Sequence, residues 1–353
     1  MKMKKSHILL IGIFLGMTIL LSACMPGPRV TGAPGVSVDE DMAFIAYGTL
    51  VYGLDITNGS VTWSYPERAN SQVVFYAQPL VSGDYVYVGD LAKTFHKLDR
   101  QTGAVIWIYT KADGFFLAKA AEADGVVYAP CNDGSLYALD NYGNLLWKFD
   151  TGHYLWSQPQ IVDDVIYLGS MDHFVYAISK DGEEIWSKEL GGAIVASPKV
   201  NAEANALYIG SMDNQMVALD LSTGDILWTY DTESSLWGES LLVENTLYFA
   251  DSGGQIYALD VETGDAIWMT EYSGNVIGGL APMEDGFVMA TEEGVVKAFN
   301  FDGSPKWEAT LGGEIFQAPA IGNDYIVVGT VGGDQLIYGF SQTGVQLWST
   351  TPE

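Results

Sequence analysis

The sequence has few cysteines, few histidines and few basic residues. Its 353 residues include two cysteines, four histidines and 16 Lys or Arg against 44 Asp or Glu, which gives a formal net charge of −28. Such an acidic surface repels nucleic acid and anionic lipid headgroups, so we expect neither as a partner. The same charge would attract cations or a basic partner, and it also fits a solvated surface that keeps the protein soluble.

Catalytic and metal-binding motifs are also missing. His153 and His173 are isolated, without the spacing of zinc ligands. There is no Ser/His/Asp order and no Gly-x-Ser-x-Gly elbow. Asp172, Asp213 and Asp251 each follow a strand at the same point of a repeat, which favours a turn role over calcium binding. We therefore predict no catalytic residue and no metal site.

The one long apolar run lies at the N-terminus. Three lysines precede Ile8–Leu21, a run that is shorter than the ~20 residues of a spanning helix. Together with the small residues that follow, this pattern predicts a secretory signal peptide over residues 1–23.

The Leu-Ser-Ala-Cys ending at Cys24 resembles the bacterial lipobox. The resemblance implies that Cys24 receives diacylglycerol and fatty acyl chains such as palmitate, and several chains on one residue anchor stably. An uncleaved anchor and ordinary cleavage are the alternatives to lipidation. Residues 24–35 are rich in proline and glycine and predict a spacer. We expect an exported protein anchored to the cell membrane or outer membrane, facing periplasm or exterior. Bacterial lipoproteins that are retained at the inner membrane often have Asp directly after the lipidated cysteine. This chain has Met25 there, which favours the outer membrane in a two-membrane host. Cys131 is left without a disulfide partner.

Residues 36–353 are periodic. Eight tryptophans recur 39 to 44 residues apart, each preceded by a turn glycine and by short strands such as Tyr257-Ala-Leu-Asp260. Four short strands per repeat of this length predict a propeller blade, and ring closure removes exposed sheet edges. The sequence thus predicts an all-β, eight-bladed propeller. The repeated tryptophans, expected to pack between blades, are Trp63, Trp107, Trp147, Trp186, Trp228, Trp268, Trp307 and Trp348.

The repeat resembles that of the pyrroloquinoline-quinone (PQQ) propeller family. Residues 255–268 match its Leu-Tyr-Ala-Leu-Asp-x-x-Thr-Gly-x-x-x-Trp pattern closely. One branch of the family, the quinoprotein dehydrogenases, uses adjacent cysteines, a calcium site and an Asp base, and this chain has no Cys-Cys pair. The other branch is the non-catalytic propeller lipoprotein of the outer-membrane β-barrel assembly machinery. The resemblance favours a non-catalytic, monomeric scaffold or protein-binding module, without PQQ or calcium. A quinoprotein-like enzyme, or a propeller binding PQQ or another small ligand, is the alternative.

A ring of large apolar residues precedes the first strand of seven blades. Because first strands line the channel of a propeller, we expect this ring at one channel mouth. Inter-blade packing is one interpretation, and a rim that binds an envelope protein partner is the other. The ring, hereafter the rim, consists of Tyr76, Leu117, Trp156, Val195, Trp237, Ile277 and Phe316.

Overall fold

A computed structural model describes residues 32–352. The predicted signal peptide, Cys24 and the spacer up to residue 31 lie outside the described residues. Residues 32–352 form β-strands and no helix, and within this range no helix is long and apolar enough to cross a membrane. The predicted all-β class is therefore confirmed.

The strands form eight antiparallel sheets, each built from four consecutive strands. Blades 1 to 4 contain β1 (Gly35–Val38), β2 (Met42–Tyr47), β3 (Leu50–Asp55), β4 (Val61–Tyr65); β5 (Leu80–Ser82), β6 (Tyr85–Gly89), β7 (Phe95–Asp99), β8 (Val105–Tyr109); β9 (Ala121–Ala123), β10 (Val126–Pro130), β11 (Ser135–Leu139), β12 (Leu145–Asp150); β13 (Gln160–Val162), β14 (Val165–Gly169), β15 (Phe174–Ser179) and β16 (Glu184–Glu189). Blades 5 to 8 contain β17 (Lys199–Asn201), β18 (Ala206–Ser211), β19 (Gln215–Asp220), β20 (Ile226–Asp231); β21 (Leu241–Val243), β22 (Thr246–Ala250), β23 (Gln255–Asp260), β24 (Ala266–Glu271); β25 (Leu280–Met283), β26 (Gly286–Ala290), β27 (Val295–Phe299), β28 (Pro305–Thr310); β29 (Ala320–Gly322), β30 (Tyr325–Gly329), β31 (Ile337–Ser341) and β32 (Gln346–Thr350).

The blades form an eight-bladed propeller, as predicted. The two middle strands of each blade are mostly buried, because both of their faces pack against neighbouring blades. One core cluster, for example, joins Tyr167 and Val175 of blade 4 to Leu207 and Val217 of blade 5. The fourth strands alternate between exposed and covered residues, as expected for an outer edge.

The turn between the third and fourth strands explains the Asp-x-x-Thr-Gly pattern. In blade 6, Oδ1 of Asp260 accepts hydrogen bonds from the backbone N–H groups of Glu262 and Thr263, at 3.0 and 2.9 Å. These bonds, that of Thr263 first, lower the pKa of Asp260. Gly264 has a φ of +75°, which glycine adopts without strain.

The repeated tryptophans join each blade to the next. Each indole Nε1 donates a hydrogen bond of 2.7 to 3.1 Å to a backbone carbonyl in the turn of the following blade. The ring also lies over the turn glycine of that blade: a Cβ on Gly264 would be 2.7 Å from Cδ2 of Trp228. The donor and acceptor pairs are Trp63 to Arg100, Trp107 to Asn141, Trp147 to Lys180, Trp186 to Leu221, Trp228 to Val261, Trp268 to Phe301, Trp307 to Gln342 and Trp348 to Ile56.

The ring closes through side chains, since no strand is shared between blades 8 and 1. Trp348 donates to the carbonyl of Ile56 at 2.7 Å, repeating the contact made by the other tryptophans. Val36 of β1 packs with Ile337 of β31 in one core cluster. Blade 1 is thus complete in itself, with its first strand beginning at Gly35.

Candidate functional site at the channel mouth

Six of the seven rim residues line one cavity at the channel mouth. The cavity has a volume of about 380 Å³, at the lower end of the range for small-ligand pockets. Within the rim, Val195 is 9% exposed and the other five are partly exposed. The rim residues that line the cavity are Leu117, Trp156, Val195, Trp237, Ile277 and Phe316.

Tyr76 is the rim residue that lies apart from this cavity. A Cβ on Gly32 would fall 1.4 Å from Cε1 of Tyr76, so the ring occupies the space that Gly32 leaves open. The segment that leads into blade 1 therefore covers Tyr76.

The residue directly before each rim position carries the packing between blades. These side chains are at most 2% exposed, and each belongs to one of the inter-blade core clusters. No rim residue belongs to any core cluster of residues 32–352. The sequence holds an apolar residue at all seven of these positions, a signal for the packing residues that the alignment of the rim positions alone does not reveal: Phe75, Phe116, Leu155, Ile194, Leu236, Val276 and Ile315.

Hydrogen bonds orient the two rim tryptophans. Nε1 of Trp156 donates to Oδ1 of Asn132 in the preceding blade at 3.2 Å. Nε1 of Trp237 donates to Oγ of Ser235 at 2.9 Å. With their polar ends bonded to the protein, both indoles present apolar ring surface to the cavity.

Glycines allow close backbone contact between the segments that precede the first strands of blades 6, 7 and 8. A Cβ on Gly238 would lie 2.2 Å from the backbone N of Gly279, and one on Gly278 would lie 2.0 Å from that of Ala318. Glu239 and Gly279 form an isolated parallel bridge. The mouth is therefore asymmetric, because backbone contact closes its blade 6 to 8 side.

A polar layer lies next to the rim. Nε2 of Gln78 donates to the carbonyl of Val36 at 2.7 Å, and the backbone N–H of Gln158 donates to Oγ of Ser197 at 3.2 Å. Lys119 and Glu239 are the charged residues that line this cavity, which belongs to the described part of the chain. Burial lowers the pKa of Lys119, and the carboxylate of Glu239 opposes this effect.

Two of the three acidic residues considered above for calcium accept hydrogen bonds from backbone N–H groups of their turns, and Asp213 accepts one from Oγ of Ser211. Oδ1 of Asp172 accepts from the backbone N–H of Phe174 at 3.0 Å, and Oδ1 of Asp251 accepts from those of Gly253 and Gln255 at 3.0 Å. Within residues 32–352, no group of three or more His, Cys, Asp or Glu residues is arranged to hold a metal ion.

Comparison with known proteins identifies the family. A family model described as outer membrane protein assembly factor BamB matches residues 22–148, 132–278 and 273–353. The chain belongs to this family. A curated BamB of Burkholderia pseudomallei (strain K96243) is 46% identical over 48 residues, which span 14% of this chain and 12% of that protein.

A natural BamB and a designed protein are among the solved structures with a similar fold. The crystal structure of BamB from Moraxella catarrhalis has a TM-score of 0.75 at 19% identity, covering 87% of this chain and 95% of the other. The computationally designed Ika8 protein has a TM-score of 0.77 at 16% identity, covering 90% and 98%. At these identities the likeness shows the fold alone, and a fold hosts many functions.

Proposed function

We propose that this protein is a non-catalytic assembly factor of the cell envelope that binds a partner protein at the channel mouth. The proposal rests on the different positions of two adjacent residues in blades 3 to 8: one packs between blades, and the next lines the cavity. Leu155 and Leu236 fill the space between blades, which leaves Trp156 and Trp237 for the cavity. Partly exposed tryptophans that line a cavity are typical anchors of protein interfaces.

The membership of the BamB family supports outer-membrane protein assembly as the process. Under this proposal residues 1–23 export the chain, acylated Cys24 holds it at the membrane, and the spacer places the propeller beside its partner. The partner is another protein of the assembly apparatus. Because the propeller works as a scaffold, the proposal requires neither PQQ nor calcium.

Crosslinking in native membranes tests this proposal. A photo-reactive amino acid at position 156 is expected to crosslink to an outer-membrane assembly protein, identified by mass spectrometry. The same group at Leu227, which is 51% exposed on the outer strand β20, is the control. Crosslinks from Leu227 but none from position 156 would contradict the assignment of the mouth as the binding surface.

A further inference from the structure

Lys119 lies at the junction of two parts of the channel. It lines the mouth cavity and also a second cavity of about 180 Å³, formed by the first strands of blades 1, 2 and 8. Gln78 and Ile321 also line both cavities. A ligand that enters the mouth cavity past the rim therefore reaches a space that Lys119 lines.

Lys119 is unpaired within residues 32–352. Its Nζ has neither a hydrogen bond nor an ion pair with any residue in this range, in contrast to several other basic residues. Lys148 has Asp150 at 3.0 Å, Lys180 has Asp164 at 3.1 Å, and Lys297 has Glu308 at 3.0 Å. A partly desolvated ammonium group without a direct ion pair is unfavourable, and a carboxylate ligand would supply that close interaction.

The single carboxylate of the cavity belongs to a distant blade. Glu239 precedes the first strand of blade 6, whereas Lys119 precedes that of blade 3, three blades away in a ring of eight. No ion pair within 4.0 Å joins them in the described chain. A ligand carboxylate is thus attracted to the Lys119 wall and repelled from the Glu239 wall, which fixes its orientation.

The lining also contains apolar side chains, which lie alongside the neutral polar side chains of Gln78, Gln158, Ser197 and Gln317. Trp156 and Val195, in the two blades that follow the blade of Lys119, are among these apolar residues. The acidic outer surface, part of a formal net charge of −28, offers no comparable attraction for a carboxylate. An occupant that satisfies this site has an apolar or aromatic side chain next to an acidic one.

We propose that the channel mouth recognises an apolar peptide segment of a partner protein through a carboxylate bound to Lys119. The inference rests on the proposed binding function and adds the chemistry of the bound segment. Lys119 selects the carboxylate, the rim supplies apolar contact, and Glu239 sets the orientation.

Peptide selection tests this inference. Short random peptides displayed on phage are selected against the wild-type protein, Lys119→Met and Lys119→Arg. Lys306→Met is the matched control, because Lys306 lies on the outer strand β28 and is paired with Asp285. Circular dichroism establishes that each variant is folded. We expect Asp or Glu beside an aromatic or aliphatic residue to be enriched against the wild type, Lys119→Arg and Lys306→Met, but not against Lys119→Met.

Calorimetry on one selected peptide gives the magnitude. Its Glu form is expected to bind the wild type about tenfold more tightly than its Gln form, and Lys119→Met removes this preference. No acidic enrichment, or the same enrichment against Lys119→Met, would overturn the inference. Equally tight binding of propionate would assign the site to small organic acids instead. If position 156 still crosslinks to an assembly protein in either case, the proposed function stands and only the carboxylate selection falls.

Discussion

The glycine of each Asp-x-x-Thr-Gly turn meets two requirements at once. Gly264 adopts a positive φ, and it leaves the space that the Trp228 ring occupies. Gly83 also has a positive φ, of +55°, but a Cβ there would meet nothing within 4 Å. A comparison of substitutions at Gly264 and Gly83 therefore distinguishes the cost of backbone strain from the cost of a clash between blades.

Gly264→Ala is expected to destabilise the propeller more than Gly83→Ala. Both variants have a backbone penalty of about 1 kcal/mol for the positive φ. Only Gly264→Ala adds overpacking against Trp228, of about 1 to 3 kcal/mol. Urea unfolding measures the free energy of unfolding of each variant. Equal losses would show that the tryptophan does not depend on the glycine.

Cys131 is expected to be unreactive in the folded protein. It is buried, and burial raises the pKa of its thiol to about 12, so very little thiolate exists at pH 8. With Cys24 replaced by Ala, labelling by Ellman's reagent should require unfolding. Rapid labelling of native protein at pH 8 would contradict the buried position.

Lys119→Met is expected to raise the melting temperature. Because burial lowers the pKa of Lys119 in the folded state, the unfolded chain binds more protons between the folded and unfolded pKa values. The contribution of Lys119 to the free energy of unfolding therefore rises as pH increases through that interval. Below the interval, the charged form of Lys119 destabilises the folded state. The gain of Lys119→Met should shrink at higher pH in thermal unfolding scans. A loss of stability at neutral pH would indicate a structural role instead.

At the scale of elements, the contact between blades 8 and 1 differs from the other seven. All eight tryptophans make the same hydrogen bond, but no covalent chain continues from β32 to β1. Trp348 and the core around Val36 therefore replace the linker that connects other neighbouring blades.

Trp348→Phe is expected to loosen blades 1 and 8 specifically. The change leaves the buried carbonyl of Ile56 without its donor, a loss of about 1 to 3 kcal/mol. Trp228→Phe removes the equivalent bond between covalently linked blades and is the matched control. Hydrogen exchange should increase in β1–β4 and β29–β32 only in Trp348→Phe. The same pattern in both variants would show that closure does not depend on Trp348.

The fold was predictable because its determinants repeat. The tryptophan spacing and the Tyr-Ala-Leu-Asp strands indicate eight blades, and the structure confirms them. Ring closure was not predictable, because the contact of Trp348 with Ile56 joins residues 292 positions apart. The rim positions could be aligned by counting residues, whereas the unpaired state of Lys119 depends on what the other blades place around it.

For the whole molecule, we expect no specific effect of PQQ with calcium. The mouth cavity offers one ammonium and one carboxylate, a poor match for a polyanionic quinone and a divalent cation. A thermal shift assay with both added should leave the melting temperature unchanged. A rise of several degrees would favour the quinoprotein alternative, since a ligand that binds the native state stabilises it.

Partner capture by rim variants tests whether the channel mouth binds the partner protein. Protein with Trp156→Ala and Trp237→Ala is compared with protein carrying Ile185→Ala and Leu347→Ala, which alters residues about half exposed on outer strands. Copurification of assembly proteins from membranes should fall at least about tenfold in the first variant and remain unchanged in the second. Undiminished capture by the first variant, with a lowered melting temperature, would show that the rim serves packing and would contradict the account.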